Sequence, residues 1–181
     1  MYKPVILFGC LLMLLGCGQI ENDTLDPNEV IFTTNDASKL FFKNTRRTYY
    51  DLEVNEAAKL EIYRWKEALD ENQAQLGLAL VNNWRYDEAY LLLEPNEYIT
   101  LNTLKLKWIN EEVGSSGEII FEPGNKTNHA RFAGLVYQQL RAKSQFSIWL
   151  ENEWQPFFTD NSSKDAFEKT VYDFYRLTER L

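Results

Sequence analysis

The sequence predicts an α+β fold: one antiparallel sheet of about six to eight strands, with two helices in the C-terminal half. Three observations predict it. Short runs rich in aromatic and β-branched residues recur from Leu40 to Ile120. Two longer amphipathic stretches follow, near residues 128–142 and 162–180. Strands come in succession rather than in alternation with helices, which favours antiparallel pairing over βαβ units.

Taken in order, KLFFKN (39–44) and RRTYYDLEV (46–54) read as strands from their aromatics and Thr. NEAAKLEIYRWKEAL (55–69) carries two patterns. Ala58, Ile62, Trp65 and Leu69 fall at helical spacing. Leu60 and Ile62 against Tyr63 and Trp65 suit a strand buried on both faces, and a strand near 59–65 is the preferred reading. QLGLALV (75–81) and EAYLLLE (88–94) flank NNWRYD, so they pair across an Asn-rich loop, and Pro95 ends the second. TLKLKWI (103–109) alternates, with Leu104, Leu106 and Trp108 on one face and Lys105 and Lys107 on the other. EIIFEPG (118–124) follows the expected turn Gly114–Gly117. FSIWL and WQPFF (146–150 and 154–158) read as strands with Asn152 at their turn. Thr127 or Asn128 is placed to cap a helix carrying Phe132, Leu135, Val136 and Leu140. Ser162 is placed to cap the last helix, with Phe167, Val171 and Phe174 along one stripe.

The start of the chain is of another kind. After Lys3, the 13 residues Pro4–Gly16 are uncharged and mostly apolar. As a helix they reach roughly 20 Å, short of the about 30 Å core of a bilayer. A basic start, a short apolar run and a small residue at its end describe a secretory signal peptide. Leu14-Leu15-Gly16-Cys17 resembles the lipobox of bacterial lipoprotein precursors. That resemblance implies that the peptide before Cys17 is removed and that Cys17 carries lipid on its thiol and its new amino terminus. Gly18, where an Asp would mark inner-membrane retention, implies the outer membrane. Asp23-Thr24-Leu25 resembles the short O-glycosylation pattern of Bacteroidota. The expected organisation is a signal peptide over 1–16, an acylated Cys17 with an acidic tether over 17–36, and one domain over 37–181. Within the tether, Val30-Ile31-Phe32 is expected to pack back on the domain.

The chain carries a net charge of −8, and loss of Lys3 with the signal leaves −9. Duplex nucleic acid is repelled by that charge, and no basic stripe with interleaved aromatics offsets it. Cys10 and Cys17 are the two cysteines, so the domain has no disulfide and is held by packing, for which 14% aromatic residues supply area.

Candidate chemistry is sparse. His129 is the one imidazole, and no GxSxG elbow presents a serine for it to activate. A zinc site needs more His and Cys than remain. Of 27 acids no pair is singled out for glycosidase work. Asp160–Asp165 resembles a calcium loop but lacks the central Gly and the terminal Glu, and a helix cap explains it better. No catalytic, cofactor or metal-binding residue is therefore assigned. Trp84, Arg85 and Tyr86 form the candidate interaction surface, because these residue types dominate interface hot spots. The expected function is a membrane-anchored envelope lipoprotein with a non-catalytic binding domain. Its expected partners are the lipid bilayer, through Cys17, and an envelope protein or glycan. Two alternatives stand beside it: an anchored immunity or inhibitor protein against a basic toxin, and a carboxylate-based envelope hydrolase.

Overall fold

A computed structural model describes residues 25–66 and 73–181. Cys10, Cys17 with its lipobox, and Asp23-Thr24 lie outside the described residues. The elements are α1 (Asp36–Phe41), β1 (Tyr50–Asn55), β2 (Leu60–Trp65), β3 (Leu76–Asn83), β4 (Glu88–Pro95), β5 (Lys105–Asn110), β6 (Ser115–Ile120), α2 (Lys126–Arg141), β7 (Gln145–Leu150), β8 (Glu153–Phe157) and α3 (Asn161–Leu177). The α+β class is as expected, and every strand pairing is antiparallel.

The single sheet is not. Eight described strands divide into two sheets of four, ordered β1-β2-β3-β4 and β6-β5-β7-β8. The division falls at β4, whose outer edge is occupied. Ala89 N–H donates to the Phe32 carbonyl at 2.8 Å, and Leu93 N–H donates to His129 Nδ1 at 3.0 Å. Both acceptors take N–H groups that a fifth strand would need.

KLFFKN is the second correction. It forms α1 and a π-helical turn, Phe42–Arg46, followed by a 3-10 turn, Arg47–Tyr49. Asn35 starts it with a capping box: its side chain accepts from Ser38 N–H at 2.8 Å, and Ser38 Oγ accepts from Asn35 N–H at 3.3 Å. Helical winding sends Phe42 into the core and leaves Leu40 and Phe41 exposed.

Other expectations hold with shifted bounds. β2 confirms the strand reading of 59–65. β3 and β4 pair as expected, Leu78 opposite Leu93 and Leu80 opposite Leu91. The turn before β6 lies three residues earlier than Gly114–Gly117, at 111–114: Gly114 takes φ +64° and Ser115–Gly117 belong to the strand. Gly117 faces Trp108, and a Cβ there would meet the indole at 2.9 Å. Glu151 and Asn152 both take positive φ, which suits a two-residue turn between twisted strands.

The helix caps are Asn125 and Asp160, not Thr127, Asn128 or Ser162. In each, a side-chain oxygen takes a first-turn N–H. Both long helices end in a Schellman motif on a non-glycine residue. Ser144 N–H bonds to Gln139 and Lys143 N–H to Leu140, both 2.9 Å. Arg180 N–H bonds to Tyr175 at 2.8 Å and Glu179 N–H to Arg176 at 3.4 Å.

Helix α2 packs on β4 and β6, and α3 packs on β3 and β4. The core between them runs through Tyr63, Leu80, Leu91, Val136, Val171 and Phe174. Val30 and Phe32 pack against it as expected, and so does Leu25, whereas Ile31 between them is exposed. Among the described residues one charge lies inside. Asp173 of α3, 1% exposed, accepts from Arg46 Nε at 2.7 and 3.0 Å and from Tyr50 Oη at 2.6 Å.

Replacing Asp173 with Ala strands the guanidinium and the phenol together. A loss of about 3–5 kcal/mol in urea unfolding is expected, and a somewhat smaller one for Asp173→Asn, which keeps one acceptor oxygen but not the charge that faces Arg46.

Candidate interaction surface

Trp84, Arg85 and Tyr86 form the β3–β4 loop with Asp87. Asn83 shapes the loop, its side chain accepting from Arg85 N–H at 3.1 Å and its carbonyl from Tyr86 N–H at 3.3 Å. The loop presents Tyr86 at 64% exposure, with the Arg85 guanidinium 5.7 Å from its ring. Trp84 is half-buried. The neighbouring acids are engaged elsewhere: Asp87 pairs with Lys39 at 2.7 Å and Glu88 with Lys126.

A second surface was missed in the sequence. Arg176 lies 4.9 Å over the Phe41 ring, and Arg46 lies 4.9 Å over Tyr49. Tyr49 stacks on Trp65 at 5.7 Å with 5° between planes, and Lys169 covers Trp65 at 5.3 Å. Lys169, Tyr172 and Arg176 stand at positions i, i+3 and i+7 of α3, hence on one side of it. Leu40 and Tyr172 add exposed apolar area. The result is a strip of aromatic rings carrying cations, two of which, Arg46 and Lys169, are also paired with Asp173 and Asp165. Its signal was present in KLFFKNTRRTYY, which holds four cations, four aromatics and no acid. The strand reading scattered those residues over two faces.

The strip rests on fixed groups. Arg46 is held from below by Asp173. Beside it Glu61 accepts from Asn82 at 2.8 Å, Lys43 at 3.1 Å and Tyr63 at 2.9 Å. Burial pushes the Glu61 carboxyl up, but those donors outweigh it and hold it below its usual range. Asp160 follows the same balance, its burial outweighed by bonds from Ser163. A hydrolase acid needs the opposite shift, so neither carboxyl is suited to that work. Among the described residues no three His, Cys, Asp or Glu side chains converge on a point, and no helix is long and apolar enough to cross a membrane.

His129 sits in α2 with its ring 5.1 Å from Phe121, edge-on, while Nδ1 takes the Leu93 N–H. It serves the edge of β4 rather than a nucleophile. No known family, curated protein or solved structure matches the chain. Geometry and chemistry therefore carry the functional reading alone.

Burial lowers the pKa of His129 below its ordinary value of about 6.5. As pH falls below that value the unfolded chain binds a proton that the folded chain refuses, so stability falls with it. His129→Gln keeps an acceptor for Leu93 and removes the titration. Its urea midpoint should vary less between about pH 5 and 7 than that of the native chain. An equal slope would mean that the imidazole titrates normally in the folded state.

Proposed function

We propose that this protein is a lipid-anchored lipoprotein of the bacterial cell envelope, held at the outer membrane, whose folded domain binds a partner. The observation that carries the binding reading is the pairing of cations with the exposed rings of Tyr86, Tyr49 and Phe41 and the half-buried ring of Trp65: Arg85 on Tyr86, Arg46 on Tyr49, Arg176 on Phe41 and Lys169 on Trp65. A cation held over a ring is worth about 0.5–1 kcal/mol at an exposed site. The pairs therefore hold their side chains ready without burying them. Arg and aromatic residues so displayed are the material of interface hot spots. In a chain of net charge −8, Arg85 and Arg176 also present positive charge where an acidic or glycan partner could meet it, while Arg46 and Lys169 are paired with Asp173 and Asp165.

The anchoring rests on the lipobox resemblance. One acyl chain holds a protein to a bilayer only marginally, whereas a multiply acylated Cys17 holds it stably. The charge of the whole chain also admits a basic toxin as partner, and such a toxin would dock away from the cation-bearing strip.

Two outcomes are expected. The native protein should begin at a triply acylated Cys17 by mass spectrometry, and Cys17→Ala should move it out of the membrane fraction. An unmodified chain starting at Met1 would overturn the anchor. Arg85→Ala with Tyr86→Ala should leave the melting temperature within about 2 °C of native, since both side chains are exposed. Crosslinked capture from membranes should lose its partner in that variant. Unchanged capture would return the loop to a structural role.

A further inference from the structure

We infer that a cleft beside the β7–β8 hairpin is a binding site for a neutral oligosaccharide. The inference goes beyond the partner-binding surfaces above and does not depend on the state of Cys17.

The cleft has a volume of about 830 Å³, within the roughly 300–1,000 Å³ usual for small-molecule sites. Tyr98, Thr100 and Thr103 line one wall, from the connection between β4 and β5. Trp149, Asn152 and Gln155 line the other, from the hairpin. Both walls are held before any ligand arrives. Ile99 is buried beside Tyr98, and the chain beyond it closes a 3-10 turn, with Thr103 N–H on the Thr100 carbonyl at 3.2 Å. Asn96 staples the base of that connection, accepting from Gln75 N–H at 3.1 Å and donating to the Gln73 carbonyl at 2.7 Å. The Trp149 ring is fixed edge-on against Trp154 at 5.2 Å. Walls set in advance spare a ligand the cost of ordering them.

The chemistry of the lining narrows the ligand. Among the described residues Glu151 is the one charged residue in it, and none of them in the lining is a cation. A phosphate or carboxylate would find no counter-charge there. Hydroxyl and amide side chains both donate and accept, as sugar hydroxyls do. The C–H faces of a pyranose pack on the negative face of an aromatic ring, and Trp149 and Tyr98 supply two.

A second observation lies below. Gln75, 4% exposed, leaves its side-chain Oε1 without a donor. It lines a recess of about 10 Å³ that shares Gln73, Ala74, Pro156 and Thr159 with the cleft wall. A buried acceptor without a donor is unfavourable. A ligand hydroxyl, directly or through one water, would satisfy it.

The test uses the intact chain, purified in a detergent without a sugar headgroup. A glycan microarray is followed by calorimetric titration with chitotetraose, cellotetraose, maltotetraose and, as an anionic control, tetragalacturonate. The expected result is binding of neutral glycans that Trp149→Ala and Tyr98→Ala each weaken about tenfold or more. Trp149→Phe and Tyr98→Phe should retain most of it. Tyr98 is 48% exposed, so its replacement leaves the fold intact and keeps the result interpretable if Trp149→Ala destabilises the hairpin. Three results would overturn the inference: no neutral glycan bound, only charged glycans bound, or binding indifferent to both Ala variants. A chain that binds sugar yet lacks acyl groups would refute the anchor and leave the cleft standing.

Discussion

The carboxylate of Asp173 is the contact on which most of this molecule turns. It joins three pieces of chain remote in sequence: α3, the π-helical turn through Arg46, and β1 through Tyr50. Removing a charge from water is expensive, and the cost is recovered only if every lone pair finds a donor. Arg46 and Tyr50 both donate to it, and burial together with that carboxylate pushes the Tyr50 hydroxyl well above its usual pKa. The same guanidinium lies over the Tyr49 ring. An exposed binding feature is thus oriented by a buried ion pair, and the π turn is what lets one residue serve both.

Around that point the fold is held by rings rather than by covalent links. Phe42 meets Tyr50 and Tyr63 at 5.6 and 5.0 Å, and Tyr50 meets Trp65 edge-on at 5.2 Å. In the second sheet Phe146 and Phe158 continue the pattern to Phe167 of α3. Such edge-to-face contacts add specificity to burial, since they are satisfied only at particular angles. They give rigid walls to the cleft through Trp149 and Trp154, and a rigid floor to the strip through Tyr50 and Trp65. A domain built this way has firm sites without a disulfide.

Polar groups complete the design at the sheet edge. His129 and the Phe32 carbonyl take two outward N–H groups of β4, those of Leu93 and Ala89, which protects the edge at which the two sheets divide. The one imidazole, a natural suspect for catalysis, is thereby committed to architecture. The outer face of the first sheet is closed by ion pairs, with Arg64 bridging Glu53 at 2.8 Å and Glu94 at 2.7 Å. Those acids, too, are structural.

The sequence by itself determined the α+β class, most strands and both long helices, because period-two and period-3.6 patterns are local properties of the chain. TLKLKWI and the pair QLGLALV with EAYLLLE were legible for that reason, as was the turn at Asn152. KLFFKN was not, since adjacent Phe residues fit a strand as well as a helix, and the capping box at Asn35 and the bond to Asp173 decided between them. Trp84, Arg85 and Tyr86 were legible as a cluster because they adjoin in sequence. The cation-bearing strip and the cleft were not, because each draws on segments about 50 to 135 residues apart. Which residues share a surface is decided by how the helices cross the sheets, and that is settled only when the buried charge, the rings and the strand edges are satisfied together.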